Sequence, residues 1–95
     1  MDAYKEIDPK VIECYDNLRN SAFSEGALSP KVKLLIAIAI DAEHGTVQGA
    51  TSLGQMAIKL GVTKEEIIEA LRVAYFVGGN RALFTSAVVL KNLFK

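Results

Sequence analysis

A chain of 95 residues, 51% of them hydrophobic and only 2 of them proline, can form one domain with a core, although so short a domain buries its surface inefficiently and gains from a partner. Its 11 basic and 11 acidic side chains cancel, so no net field draws it to nucleic acid, a membrane surface or an acidic substrate. A single cysteine, Cys14, closes no internal disulfide, the opening MDAYKEIDPK is too polar for a secretory signal, and the longest apolar run, Leu34 to Ile40, is far short of the roughly 20 residues a membrane helix needs. The expectation is a soluble, cytoplasmic protein of one domain, 1–95, with no nucleic-acid or membrane partner.

Five helical segments follow along the chain. The first, over 8–23, opens with Asp8 as N-cap and Pro9 at the first helical position, where a missing N–H does no harm. Val11, Ile12, Tyr15, Leu18 and Phe23 give it an apolar stripe at helical spacing. Ser29-Pro30 repeats the cap-then-proline signal, and the helix it starts is apolar on nearly all sides from Leu34 to Ile40, as befits a helix covered by its own chain or by a neighbouring subunit. A buried strand is the competing reading of that run, disfavoured by its alanines and by the lack of any strand to pair with. The third segment runs from Thr46 to Leu60, with Val47, Ala50, Leu53, Ala57 and Leu60 inward and Gly61 just past its end. Thr63 and Glu66 form a capping box that starts the fourth, whose stripe is Ile67, Leu71, Ala74 and Tyr75. Gly78-Gly79-Asn80 breaks that helix, and Leu83, Ala87, Leu90 and Phe94 are the expected inward face of the fifth.

The order of three stretches resembles the carboxymuconolactone decarboxylase and alkylhydroperoxidase D-like superfamily: Gly26-Ala27-Leu28-Ser29-Pro30-Lys31 before the apolar helix, Lys59-Leu60-Gly61-Val62-Thr63-Lys64-Glu65-Glu66-Ile67-Ile68-Glu69-Ala70-Leu71, and Tyr75-Phe76-Val77-Gly78-Gly79. The resemblance covers about three quarters of the chain, 26–95 being the family core and the first helix its usual preface. It implies an all-α helical bundle of about five helices that assembles with itself as a homotrimer or a homohexamer. An apolar second helix, wider than one short chain can cover, points to self-assembly independently.

In thiol-active members of that superfamily a glutamate precedes a Cys-x-x-Cys pair and a histidine. A helix N-terminus lowers a thiol pKa, a second cysteine resolves the oxidised sulfur, and the histidine and glutamate move protons. Counting back from Gly61, the resemblance assigns the histidine position to Leu53, the cysteine positions to Gly49 and Thr46, and the glutamate position to Leu34. None of these can replace what the chemistry requires. The family implies peroxiredoxin-type peroxidase or decarboxylase activity, but the residues for either are absent, because the decarboxylase branch also keeps the histidine.

The densest polar group near the old centre is Asp41, Glu43, His44 and Gln48. His44 with Glu43 or Asp41 can serve as a general base with an orienting carboxylate. The structural alternative is that Glu43 and His44 merely end one helix while Thr46 caps the next, although carboxylates at a helix C-terminus oppose its dipole unless they face the following N-terminus. A metal is not expected, since Glu43 and His44 point about 100° apart on a helix, and neither is any cofactor. Thr46, Gln48, Gly49 and Leu53 are the candidate ligand-pocket residues, the glycine leaving room where thiols would sit. Gly78-Gly79-Asn80-Arg81 is more simply a helix end than a phosphate-binding turn. Tyr75 and Phe76 read as core or subunit contacts, with ligand stacking as the alternative.

Three functions remain open: a non-thiol module that binds a small organic molecule or interacts through its surface, a cofactor-free acid–base enzyme acting on a small carbonyl or lactone compound through His44 and Glu43, and residual antioxidant activity through Cys14 of neighbouring subunits.

Overall fold

The computed structural model describes residues 6–95; the polar opening read above lies, in its first five residues, outside them. Among the described residues five helices follow one another with no strand: α1 (Pro9–Phe23), α2 (Pro30–Glu43), α3 (Val47–Lys59), α4 (Lys64–Gly78) and α5 (Asn80–Phe94). The chain divides into two compact units, Met1–Pro30 and Lys31–Lys95.

The first unit is built on α1. Asp8 caps it by accepting a hydrogen bond from the Val11 N–H at 3.2 Å, with Pro9 directly behind, as the sequence predicts. The apolar stripe behaves otherwise. No residue of α1 is buried; Tyr15 is 47% and Leu18 71% exposed.

The second unit holds the core. Leu34, Ile38 and Ala42 on α2 recur every fourth residue and are buried, as are Ala50, Gly54 and Ala57 on α3 and Ile67, Leu71 and Ala74 on α4. Ile38, Ile67 and Val89 are the largest fully buried side chains, each worth about 1.5–3 kcal/mol of hydrophobic stabilisation. Helix α5 packs against both α3 and α4. Its buried residues are Ala82, Thr85, Ser86 and Val89; of the expected stripe Leu83 and Ala87 are exposed, while Leu90 and Phe94 are half-buried. At the α3 contact a Cβ on Gly54 would meet Leu93 Cδ1 at 2.5 Å, so the glycine leaves room for that leucine of α5. Leu60, the C-cap of α3, and Tyr75, both expected inward, are exposed.

The connections follow their local chemistry. Helix α3 ends with Gly61 at φ +95°, the Gly61 N–H donating to Ile58 O and the Val62 N–H to Ala57 O, both at 3.0 Å, while Val62 tucks into the core at 4% exposure. That is the Schellman pattern, with its apolar contact. The Thr63–Glu66 capping box then starts α4, the Thr63 N–H donating to Glu66 Oε1 at 2.8 Å and the Glu66 N–H to Thr63 Oγ1 at 3.1 Å. Between α4 and α5 stands Gly79 alone, at φ +78° and ψ −153°.

Candidate functional site

The predicted site residues cluster at the turn from α2 to α3, and the structure separates them into two groups. Asp41 belongs to the first. A Cβ on Gly49 would meet Asp41 Oδ2 at 2.6 Å and Thr46 Cγ2 at 3.0 Å, so the carboxylate lies over the first turn of α3. Thr46, the N-cap, makes no side-chain capping bond, and the Asp41 carboxylate supplies the negative charge that a helix N-terminus favours. The backbone is tied at the same place, the Thr46 N–H donating to Asp41 O at 2.8 Å. Space that a side chain at position 49 would fill is therefore occupied by Asp41. Of the other expected positions, Gln48 is exposed, Leu53 half-buried and Leu34 only 2% exposed.

The second group is Glu43 and His44, with an arginine that sequence reasoning had placed only in a turn. The Glu43 stem lies against Gly78, where a Cβ would meet its Cγ at 2.5 Å. Arg81, 38 residues away in sequence, donates from Nε to the Glu43 carbonyl at 3.0 Å and so satisfies one of the free carbonyls at the end of α2. The Glu43 carboxylate stands between two cations or potential cations, His44 Nε2 at 3.4 Å and Arg81 Nη2 at 3.9 Å. With His44 62% and Arg81 66% exposed, each of these pairs contributes only about 0–1 kcal/mol. Their effect is orientation. Because Arg81 and Gly78 hold Glu43 from two sides, the carboxylate is steered toward the imidazole.

Glu43 and His44 also line an open cleft of about 350 Å³ between α2 and α4. Its walls are Ala39 and Ile40 from α2 and Val73, Ala74 and Val77 from α4. Thr46, Gln48, Gly49 and Leu53 do not contribute to it. Such a cleft can take a small apolar body and present one proton-transfer group, the His44 ring, backed by a carboxylate. Among the described residues no three His, Cys, Asp or Glu side chains are grouped to hold a metal ion, and no helix is long and apolar enough to cross a membrane. Cys14 is a free, exposed thiol on α1.

A sequence model of the carboxymuconolactone decarboxylase family matches residues 9–91. Among similar proteins are two uncharacterized proteins of Methanocaldococcus jannaschii, one 32% identical over 94 residues, 98% of this chain and 90% of its own, and another 27% identical over 88 residues, 93% and 81% respectively. A crystal structure of a carboxymuconolactone decarboxylase family protein from Legionella pneumophila superposes with a TM-score of 0.93 at 28% identity, covering 97% of this chain and 82% of that one. Match, relatives and helical architecture agree, and the chain belongs to the carboxymuconolactone decarboxylase family.

Proposed function

We propose that this chain is a non-thiol member of its family that holds a small organic molecule in the α2–α4 cleft. The observation that carries this reading is the cleft itself: five apolar wall residues meet one polar edge, made by Glu43 and His44. Asp41, set over Gly49, moves the available volume away from the positions at which the family resemblance puts thiols. Exposed Val32 and Ile36, one turn apart on α2, support self-assembly, as a homotrimer or a homohexamer.

Titration of the isotopically labelled chain with cyclohexanone and with γ-butyrolactone tests the binding reading. Amide shifts should move at Ala39, His44 and Val77, and Val77→Glu should abolish them while leaving the fold intact, because Val77 is 74% exposed. Shifts that survive Val77→Glu unchanged, or none at millimolar ligand, would refute it.

A second reading, acid–base catalysis on a carbonyl or lactone compound, is favoured by the 3.4 Å approach of Glu43 Oε2 to His44 Nε2. Lactone hydrolysis that is lost in His44→Ala, with binding retained, would establish it over the first. Equal background rates in both chains would dismiss it.

A further inference from the structure

We propose that two copies of this chain pair through their α4 helices about a two-fold axis, each copy's Phe76 roofing the α2–α4 cleft of the other. Phe76 is 89% exposed, more than any other phenylalanine among the described residues, and it is not a wall of its own cleft. Yet it stands three residues after Val73 and one before Val77, both well-exposed walls of that cleft, so a projecting ring and an open hollow share one side of α4. A two-fold axis sets such a ring of each copy against the hollow of the other, which is the self-complementarity an isologous contact requires. A phenyl ring fills a cavity of about 150 Å³, so the 350 Å³ cleft takes the partner's ring and keeps room for a ligand of similar size.

Area and charge name the occupant as a second copy. Weighted by exposure, Ile40, Val73, Phe76 and Val77 offer roughly 500 Å² of apolar surface, more than half of the ~800 Å² that each partner buries in a standard interface, before the stems of Glu69 and Arg72 are counted. Helix α4 is also polar along its length: its first half carries Glu65, Glu66 and Glu69, and the stretch from Arg72 to Gly78 carries no acid. A two-fold across the helix runs the pair antiparallel, so each acidic half meets the partner's half that holds Arg72, and the two helix dipoles oppose. With no net charge on the chain, like copies approach without repulsion. A two-fold contact is also what joins two trimers into a hexamer, and so it selects between the two assemblies. The roofing itself rests on the reading of the cleft as a ligand site, and it makes binding and pairing reinforce each other.

Sedimentation of the full chain and its titration with cyclohexanone test both halves. Phe76→Glu should halve the sedimenting mass and weaken cyclohexanone binding about tenfold, the loss of one buried aromatic contact, although Phe76 lines no part of its own cleft. Phe84→Glu, the same change at a ring 70% exposed on α5, should alter neither. In the native chain, binding should weaken on dilution over the range in which the mass falls. An unchanged mass in Phe76→Glu, equal impairment by Phe84→Glu, or cyclohexanone binding that Phe76→Glu leaves at the native level would overturn the pairing and leave the ligand reading standing. Native chain that binds no cyclohexanone at any chain concentration would instead refute the ligand reading, and the roofing with it.

Discussion

The head of α3 and the cleft between α2 and α4 lie on either side of one short turn, yet they have been settled in opposite ways. At the head of α3, Asp41 covers Gly49, and Leu34, two turns back along α2, is sealed into the core. Across the turn the Glu43 carboxylate and the His44 ring stand at the edge of an open cleft, held by Arg81 and Gly78. The contrast teaches that two acids only two residues apart at one helix end take different places, one over the N-terminus of the next helix and the other beside an imidazole.

The largest effect should come from the sealed side. Ile38, fully buried on α2, should cost about 2–5 kcal/mol on substitution by alanine, read as a fall in denaturation midpoint, whereas Ile40→Ala on the cleft side of the same helix should cost a small fraction of that. Similar losses at both positions would erase the distinction between sealed and open faces. A smaller effect tests the seat of Asp41. Gly49→Ala alone should be near neutral, because the helix gain of about 1 kcal/mol is offset by displacing the carboxylate, but in an Asp41→Ala background the same change should stabilise by about that amount. Additive behaviour would place the carboxylate elsewhere. The smallest expected effect is none: Cys14→Ser should leave peroxide consumption with a dithiol donor unchanged, and a clear thiol-dependent rate in the native chain would restore redox chemistry to this protein.

Local signals were legible in proportion to how local they are. Asp8, the Thr63–Glu66 box and Gly61 announce helix ends because a cap is satisfied within four residues of itself. Faces were harder. Along α5 two stripes share helical spacing, and hydrophobicity points to Leu83 and Ala87, while the structure turns Ala82, Thr85 and Ser86 inward on a helix packed against both α3 and α4. Helix α1 carries a regular stripe that buries nothing. At the candidate site the proximity of Asp41, Glu43 and His44 was readable, but their division was not, since it depends on Arg81 and Gly78 returning from far along the chain. Nothing in the spacing of Gly78 and Arg81 marks them as partners of Glu43.

The single residue between α4 and α5 carries a consequence for handedness. A Cβ on Gly79 would find nothing within 4 Å, so there is room for a side chain, and only the dihedrals, φ +78° and ψ −153°, forbid an ordinary one. Inverted through a mirror, that pair falls in the extended polyproline region, among the most comfortable for a chiral residue. A D-alanine introduced at this corner by chemical synthesis would therefore sit without strain and would also shed some of glycine's freedom in the unfolded chain. Glycine stands there as the one ribosomally available residue able to act as its own mirror image.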